Sequence, residues 1–527
     1  MYARFARDLP RFLDERLTPE TARAAVARNL EGREERLITL VRRTIFEHPA
    51  SPYLPLLRFA GCERGDFEKL VRGDGAEAAL ARLARAGVCV TVDEFKAKTP
   101  MVRGGQTFVV DQAAFDNPLP AAHIESRTGG SRSAGTRTVY DLDFLAQNWS
   151  VHQAILMDGL EARGMPYGLW YPIMPGSGPL AVLTWTRAGN APKKWFSPVA
   201  ARDIRPPLRD RLATTGIIVF GRLLSFPWPH PEHVALEDAL QVARWIHEQV
   251  SEHGGCLFNA YTSAAVRICQ AAREASLDIA GARFVVAGEP LTEAKRGEIE
   301  RAGVKLATYY ASMDAGFLGV SCLEPEECDE VHLFEDNFVF GQHARAVPHA
   351  AATVDALLTT TLLPSTPKVL LNVETGDCGV LGRRACGCSL DRLGLATHLH
   401  TIRGFDKLTS QGMTFIGTDV VKVIEQDLPA RFGGSLADYQ MVEEEDERGH
   451  TRMSLVISPS VGAVDEAEAV KVVIEALSRG PDHHRMMAKI WADSGTFRVL
   501  RIQPQVTAAG KLMPLHISRR PTRHPRA

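Results

Sequence analysis

The sequence contains no apolar run of the length that a membrane-spanning helix needs. Its first residues, MYARFARDLPRFLDERL, alternate charged and apolar side chains and lack the continuous apolar core of a secretory signal. Membrane insertion and export are therefore not expected. Nine cysteines without a sign of export are typical of a reducing compartment rather than of a disulfide scaffold. The expected location is the cytoplasm.

A large net charge is also missing. The chain has 61 Lys and Arg against 63 Asp and Glu, which gives a formal net charge of -2. This balance argues against a general affinity for nucleic acid or membranes, so a nucleotide would have to be held by local geometry. Low-complexity segments and repeats of fixed period are missing as well. At 527 residues the chain is too long for one ordinary core, so two or more domains are expected.

Hydrophobic periodicity predicts an α/β protein. Residues 1–402 are expected to form a large N-terminal body with mostly parallel sheets covered by helices, in which residues 1–100 make a largely helical lobe. Residues 403–516 are expected to form a small α+β C-terminal domain. The basic residues 517–527 lack periodicity and are typical of a flexible tail.

The chain is organised around a segment with the pattern of two buried strands and a helix between them. The first strand, at residues 282–287, ends in the turn Gly288-Glu289-Pro290-Leu291, and residues 292–302 have the pattern of a helix. The second strand belongs to VKLATYYASMDAG at residues 304–316, which ends in small and polar residues. Ligands of open α/β sheets bind where strands end and loops begin, so a site is expected here.

A loop rich in glycine, serine and threonine, TGGSRSAGTRT, lies at residues 128–138. Its backbone N–H groups, hydroxyls and two arginines suit a polyphosphate. The alternative is an exposed turn, because such loops are common and the lysine of a Walker motif is missing. The residues predicted to contact phosphate are Thr128, Gly129, Gly130, Ser131, Arg132, Ser133, Gly135 and Thr136.

Three polar side chains near predicted strand ends are candidates for chemistry. Asp314 is a candidate ligand for Mg²⁺, which takes few protein ligands and keeps several waters. Asp377, which follows a glycine in a predicted tight turn, is a candidate acceptor for ribose hydroxyls. Lys511 is a candidate for stabilising charge on a reacting carboxylate and α-phosphate. The alternative for each is a solvated side chain in a turn or loop.

Cysteine and histidine residues cluster in two parts of the sequence about sixty residues apart. Cys386 and Cys388 form a Cys-x-Cys pair, and Cys322, Cys328 and His332 lie upstream. Thiolates and an imidazole gathered in this way suit a closed, structural Zn²⁺ site, provided that the fold brings the two parts together. Buried free cysteines are the alternative, and both interpretations stay open.

In their order and spacing these motifs resemble those of the adenylate-forming superfamily of acyl-CoA ligases, adenylation domains and luciferases. The chain is most similar to the phenylacetate-CoA ligase branch, from about Ala76 to Lys511. The glycine-rich loop stands in the position of the family's phosphate loop, and Thr507 to Lys511 in that of its lysine motif. The resemblance implies that ATP also contacts Gly288, Glu289, Pro290, Tyr309, Tyr310, Ala311, Ser312, Met313, Asp377 and Arg403.

The resemblance also implies a reaction. ATP and Mg²⁺, the latter at Asp314, would activate a carboxylic acid to acyl-AMP with Lys511 as the catalytic residue. The C-terminal domain would be a mobile lid that turns about the hinge residue Asp406, and the acyl group would pass to a thiol, most often that of coenzyme A. Aromatic residues at 170–175 and 258–262 suggest an aryl or similarly flat acid, although aromatic residues line hydrophobic cores just as often.

Two other hypotheses stay open. In the first, the acyl group passes to a carrier protein, an amine or an alcohol. In the second, the protein binds a nucleotide or acyl group without turnover, because Ala311, Met313 and Asp314 replace the family's Gly, Thr and Glu. The expected partners are a small-molecule carboxylic acid and either coenzyme A or a carrier protein, with no nucleic acid and no membrane. The protein itself is expected to be a monomer or homodimer.

Overall fold

The computed structural model describes residues 2–127, 137–173, 176–198, 208–346, 353–404, 409–410, 413–414, 420–445, 451–478, 497–507 and 510–518. Within these ranges, no helix combines the length and the apolar character needed to cross a membrane. Residues 128–136 of the predicted phosphate loop and the predicted hinge residue Asp406 lie outside the described residues.

Helices account for most of the first hundred residues and cover the sheet further along the chain. α2 begins with a capping box, in which the Thr18 hydroxyl accepts from the backbone N of Thr21 and a proline occupies the first turn. Helices α3, α8 and α15 each continue into a π-helical turn, at Arg42–Phe46, Leu145–Ser150 and Val423–Asp427. The α-helices are α1 (Tyr2–Asp14), α2 (Pro19–Glu31), α3 (Arg33–Val41), α4 (Leu54–Phe59), α5 (Arg64–Asp74), α6 (Ala76–Arg85), α7 (Val92–Phe95), α8 (Leu142–Phe144), α9 (Val151–Gly159), α10 (Gly178–Arg187), α11 (Leu208–Leu223), α12 (Ala239–His253), α13 (Thr262–Glu274), α14 (Glu293–Glu300), α15 (Val420–Lys422), α16 (Leu428–Phe432) and α17 (Glu466–Ser478).

Twelve of the described strands form one sheet, in the order β13-β14-β15-β16-β12-β11-β10-β9-β8-β5-β6-β7. A second sheet has the order β21-β20-β19-β22, and β1-β2, β3-β4 and β17-β18 are separate pairs. The strands are β1 (Met101–Arg103), β2 (Gln106–Phe108), β3 (Ile124–Arg127), β4 (Arg137–Tyr140), β5 (Tyr167–Trp170), β6 (Pro192–Ser197), β7 (Glu232–His233), β8 (Leu257–Tyr261), β9 (Arg283–Ala287), β10 (Lys305–Ser312), β11 (Gly316–Ser321), β12 (Val331–Leu333), β13 (Phe338–Ala346), β14 (Thr353–Thr361), β15 (Val373–Arg383), β16 (Thr397–Gly404), β17 (Thr409–Ser410), β18 (Met413–Thr414), β19 (Tyr439–Glu445), β20 (Thr451–Ile457), β21 (Phe497–Leu500) and β22 (Leu515–Ser518).

The α/β class and the large body are confirmed. From β7 to β10 every neighbouring pair is parallel, and β5 and β8 are buried along their whole length, as expected of strands covered on both faces. From β10 to β13 the pairings are antiparallel, which extends the sheet beyond the predicted parallel part. The site described below lies where the two parts meet.

The segment β9-α14-β10 forms a parallel strand–helix–strand unit, as the sequence pattern predicts. Thr292 caps α14, since its hydroxyl accepts from the backbone N of Lys295. β10 then turns back into β11 in an antiparallel hairpin with an irregular register between Tyr310 and Ala311. The turn after β9 and the end of β10 therefore lie side by side.

The C-terminal sheet has a small hydrophobic core of its own. Leu428, Met441, Leu455 and Val473 are among its buried members, and they come from α16, β19, β20 and α17. β21 and β22 both pair in parallel with their neighbours, so the sheet is mixed. β22 begins four residues after Lys511 and anchors the segment that carries this lysine.

Candidate active site

The described residues from α15 to β22 are called the C-terminal unit. A cavity of about 220 Å³ lies between this unit and the ends of β9 and β10. Segments that are far apart in sequence meet around it. Among the predicted site residues that line it are Gly288, Glu289, Pro290, Tyr309, Tyr310, Ala311, Asp377, Arg403 and Lys511.

Lys511 lies directly over the turn after β9. A Cβ atom added to Gly288 would come within 3.0 Å of both Cε and Nζ of Lys511, and the φ angle of Gly288 is +81°. Nζ also lies 5.2 Å from the ring centroid of Tyr261, within the range of a cation–π contact. Glycine is therefore needed at position 288 for its backbone conformation and for the space that Lys511 occupies.

A tight turn holds Lys511 in this position. The backbone N of Thr507 donates to the carbonyl of Lys511 at 2.9 Å, and the backbone N of Lys511 donates to the Thr507 hydroxyl at 3.1 Å. Gly510 has a φ of +78°, which closes the turn at little steric cost. The Thr-x-x-Gly-Lys spacing thus has a local structural reason.

Glu289 ties the same turn to the C-terminal unit. Its Oε1 accepts from the Ser263 hydroxyl and from the backbone N of Leu512, both at 2.9 Å, and its Oε2 accepts from the backbone N of Ser263 at 2.8 Å. Burial raises the pKa of Glu289, against the opposing charges of Lys295 and Lys511. The carboxylate thus joins α13 to the residue that follows Lys511.

Asp377 also lines the cavity, where it lies beside Tyr310. The Tyr310 hydroxyl donates to Oδ2 of Asp377 at 2.8 Å, and burial, together with the charge of Asp377, raises the pKa of Tyr310. The predicted tight turn at Asp377 is wrong, because the residue lies within strand β15 and pairs with Gly404. Gly376, directly before it, has a φ of +86°. The sequence pattern predicts a turn at this glycine, whereas in the structure it lies within the strand.

Arg403 is oriented by a residue that the sequence did not reveal. Its Nη1 lies 3.0 Å from Oδ2 of Asp329, and the two oxygens of Asp329 also accept from the backbone N atoms of Thr401 and Ile402. Asp329 belongs to an acidic stretch with the appearance of a solvated surface segment, so no local signal marks it. Asp329 also lines the cavity.

Asp314 occupies a neighbouring position. In the part of the chain that the structure describes, it is not among the residues that line the cavity, and its Oδ1 accepts from the Thr138 hydroxyl at 3.1 Å. Burial raises the pKa of Asp314, whereas the charge of Lys368 lowers it. Because Thr138 is in β4 and is the last residue of the predicted phosphate loop, Asp314 lies beside the end of that loop.

Ser312 and Met313 shape the hairpin turn between β10 and β11. The Ser312 hydroxyl accepts from the backbone N of Ala315 at 3.0 Å, and the Met313 carbonyl accepts from the Tyr140 hydroxyl at 2.5 Å. These contacts hold the turn against β4. The polar side chain at position 312 is therefore explained by its contact within the turn, and a contact with a ligand is not needed to explain it.

The aromatic segments that favoured a flat acid lie next to the cavity. The Tyr171 hydroxyl is 3.2 Å from the Tyr309 hydroxyl and donates to the Ala260 carbonyl at the same distance. The ring of Tyr261 packs edge-on against that of Tyr171, with centroids 5.0 Å apart. The three tyrosines form one cluster that runs from Lys511 into the body.

A second cluster unites the two distant groups of cysteines. The ligand atoms of Cys322, His332, Cys386 and Cys388 all lie within 4.8 Å of one another. Nε2 of His332 is 3.2 Å from Sγ of Cys388 and 3.5 Å from Sγ of Cys386. In a tetrahedral site with Zn–S of about 2.3 Å and Zn–N of about 2.0–2.1 Å, nitrogen and sulfur lie roughly 3.5 Å apart, so this donor set fits Zn²⁺.

The imidazole in this cluster is oriented as a ligand. Its Nδ1 donates to the carbonyl of Leu395 at 2.6 Å, which directs Nε2 at the sulfur atoms. A hydrogen bond of this kind at the second ring nitrogen is the usual support of a metal-bound histidine. Cys322, Cys388 and His332 are buried.

Cys328 was predicted as a fifth candidate ligand, and this prediction is wrong. Its Sγ donates to the carbonyl of Leu291 at 3.3 Å, and it does not belong to the cluster of described ligand atoms. Cys322 follows the end of β11 and His332 lies in β12, whereas Cys328 lies in the loop between them and faces the turn after β9. Spacing along the sequence does not show this difference.

The fold and the site define a mixed α/β protein in which a C-terminal unit brings a lysine to a cavity at the strand ends. Comparison of the sequence with models of protein families found no match, and comparison with curated proteins found none either.

The chain is similar in structure to solved CoA ligases and synthetases. A 2-hydroxyisobutyryl-CoA ligase in complex with 2-HIB-AMP and CoA has a TM-score of 0.45 at 14% identity, over 93% of this chain and 89% of that chain. The anthranilate CoA ligase AuaEII, in complex with anthranoyl-AMP, has a TM-score of 0.43 at 12% identity, over 74% and 65%. Acetoacetyl-CoA synthetase from Streptomyces lividans has a TM-score of 0.39 at 13% identity, over 78% and 56%. Because these TM-scores are below 0.5, the function proposed next depends on this chain's own residues.

Proposed function

We propose that this protein is an AMP-forming carboxylic acid ligase. It would use ATP to convert a carboxylic acid to acyl-AMP and then pass the acyl group to a thiol, with coenzyme A as the acceptor that the sequence resemblance implies. One observation carries the proposal. Lys511 of the C-terminal unit meets the turn at Gly288, the Tyr310–Asp377 pair and Arg403 around one cavity.

Three of these residues have a role in the first step. Asp377 would accept hydrogen bonds from the ribose hydroxyls, and Gly288 would let the backbone approach the adenine ring. The acid's carboxylate oxygen attacks the α-phosphorus of ATP, an O–P bond forms, and pyrophosphate leaves with the electrons of the bond that breaks. Lys511, which points at the turn from the other side, would stabilise the negative charge that accumulates on the α-phosphate.

A magnesium ion would assist at the polyphosphate. Asp314 and the Thr138 hydroxyl, 3.1 Å apart, offer oxygen ligands of the type that Mg²⁺ prefers, at the end of the predicted phosphate loop. When bound, the ion supplies positive charge to the leaving pyrophosphate. The side chain of Asp314 is one methylene shorter than the glutamate that the family's motif has at this position.

In the second step the thiol sulfur attacks the acyl carbonyl. A C–S bond forms, the C–O bond to AMP breaks, AMP leaves, and the thiol proton passes to solvent. We propose that the part of residues 403–516 that follows Asp406 acts as a lid that turns about this residue between the two steps, while Arg403 and Gly404 stay paired with β15 in the large sheet. The small separate core of the C-terminal sheet supports movement as one unit.

The acid and the acceptor are tested together. Purified protein with ATP and Mg²⁺ is incubated with a panel of aryl and aliphatic acids, and pyrophosphate release is compared with reactions lacking the acid. Coenzyme A is then added, and acyl-CoA is sought by mass. We expect acid-dependent pyrophosphate release with at least one acid, followed by acyl-CoA.

Other outcomes identify the alternatives. Acyl-AMP that coenzyme A does not accept would favour a carrier protein, an amine or an alcohol as the acceptor. Binding of ATP and acid with no pyrophosphate release from any acid would contradict the proposal and favour a binding protein without turnover.

We also propose that Cys322, His332, Cys386 and Cys388 hold a structural Zn²⁺. The donor set fits the metal, and the ligands come from the end of β11, from β12 and from the connection between β15 and β16. The ion would join three neighbouring segments of the large sheet and have no part in the chemistry. Asp329 and Arg403 lie on the continuation of these segments toward the cavity.

A further inference from the structure

An ion pair connects the C-terminal unit to the turn that lies under Lys511. Glu425, in the π-helical turn Val423–Asp427, places Oε1 2.8 Å from Nζ of Lys295 in α14. Its Oε2 accepts from the Thr292 hydroxyl at 2.5 Å. Only 3% of each charged side chain is exposed, so the pair is excluded from solvent although it joins two separately folded units.

The body side of this contact belongs to the candidate active site. Nζ of Lys295 also donates to the carbonyl of Pro290 at 3.3 Å, and Thr292 follows the turn directly as the cap of α14. Leu512 contacts the same turn through Glu289. The C-terminal unit therefore holds this turn at two points, with Lys511 beside one of them.

Burial makes this contact sensitive to the arrangement of the two units. Charges that are removed from water are stable only while they are paired, so the loss of one partner leaves the other buried and uncompensated. When the lid turns away, both groups return to water, where each is solvated independently. Loss of one partner therefore destabilises the arrangement in which Lys511 lies over Gly288, and leaves the arrangement with the pair in water unaffected.

We infer that Lys295 and Glu425 are positioning residues that select the arrangement for acyl-AMP formation. They contact neither substrate nor reacting atoms, and act by keeping the C-terminal unit against the turn while Lys511 works. The inference rests on the proposed function, since it assigns the pair to one of its two half-reactions. The second half-reaction requires the pair to open.

The half-reactions are measured separately in Glu425→Gln, which removes one charge and keeps the length of the side chain, and in Lys295→Met, which removes the other charge and leaves an apolar side chain one atom shorter. Glu468→Gln is the matched control, because Glu468 pairs with Arg431 on the surface of the same unit. We expect pyrophosphate release to fall by about 5- to 150-fold, the usual range of coupling between two arrangements. Thioester formation from preformed acyl-AMP and coenzyme A should stay within about twofold of the wild-type rate.

The charge swap Lys295→Glu with Glu425→Lys separates pairing from folding. It should restore part of the first half-reaction, but not all, because the Pro290 carbonyl would then face a carboxylate. Small-angle scattering gives a readout without turnover: Glu425→Gln should be more extended than the wild type and the control. Equal loss of both half-reactions in correctly folded variants, or no loss in either, would overturn the inference.

The same experiments distinguish a failure of the proposed function. If the wild type releases no pyrophosphate with any acid, the function is wrong, whereas the scattering comparison still reports on the ion pair. If the wild type is active and Glu425→Gln forms acyl-AMP at the control rate, only the role of the ion pair is wrong.

Discussion

At the scale of single residues, the position of Lys511 depends on the space that its neighbours leave for its side chain. A Cβ at position 288 would lie 3.0 Å from Nζ of Lys511 and also 3.0 Å from Cδ1 of Tyr261. The lysine therefore fits because a glycine and an aromatic face meet at the turn. Its neighbours Gly510 and Leu512 are fixed by the tight turn and by Glu289.

Lys511→Ala tests whether Lys511 acts in the first half-reaction and not in the second. We expect the rate of acyl-AMP formation to fall by on the order of 10²- to 10³-fold, as for removal of other groups that stabilise transition-state charge. Transfer from preformed acyl-AMP should be spared. Lys305→Ala, which removes an exposed lysine paired with Glu161, is the control. Equal loss of both steps in Lys511→Ala would contradict the assignment.

The buried Glu289 makes stability depend on pH. Its pKa is raised by burial, so its contribution to stability is complete below the ordinary value of 4.5 and is lost as the pH rises through the higher folded pKa. The free energy of unfolding of the wild type should therefore fall relative to that of Glu289→Gln as the pH rises above 4.5. Denaturant titrations at several pH values measure this difference. A free energy of unfolding of the wild type that rises relative to that of Glu289→Gln as the pH rises would contradict the prediction.

At the scale of secondary-structure elements, the proposed zinc ligands come from the end of β11, from β12 and from the β15–β16 connection. Wild-type protein purified without chelator should contain about one zinc per chain, the stoichiometry of a closed structural site. Cys388→Ser should lose the metal and melt at least about 5 °C lower. Cys328→Ser is the matched control, because this thiol lies outside the cluster, and it should keep the metal. Zinc-free wild type, or zinc loss in the control, would contradict the assignment.

Elements that depend on residues close to one another in sequence could be predicted. Strand pairings that depend on residues far apart in sequence could not. The strand RFVVA and the helix after Thr292 follow from a buried run and a cap, and both are found in β9 and α14. The pairing of β12 with β16 joins Val331 to Leu399, and no local pattern identifies such a partner. The parallel part of the sheet was therefore easier to predict than the antiparallel part.

The same distinction holds at the site. The turn at Gly288 and the lysine motif have local signatures, so sequence order was enough to propose them. Asp329 and the Lys295–Glu425 pair have none, because charged residues in a helix or an acidic stretch are usually solvated. Only the fold shows that these charges are buried and paired.

At the scale of the whole molecule, the described residues form two large hydrophobic cores, and the interface between them includes buried polar contacts as well as Leu436, a residue of the C-terminal unit that packs with the core of the body. The body's core includes the parallel strands and the N-terminal helices, and the C-terminal unit has its own core around Met441 and Leu455. Contacts between the units include the Lys295–Glu425 pair, the bond from Leu512 to Glu289 and the bond from Arg267 to the Ala437 carbonyl. Units with separate cores and a polar contact are expected to move relative to each other.

Differential scanning calorimetry tests this arrangement. We expect two unfolding transitions, because two cores joined by few contacts do not melt as one cooperative unit. Glu425→Gln should lower the transition of the C-terminal unit by about 3–8 °C, since a few polar contacts contribute on the order of 1 kcal/mol to a domain of this size. Bound ATP and acid should bring the transitions together, because ligands that contact both units stabilise both. A single transition in the wild type and the variant alike would contradict the division into body and lid, since a continuous core would then have to cross the cavity that Lys511 closes.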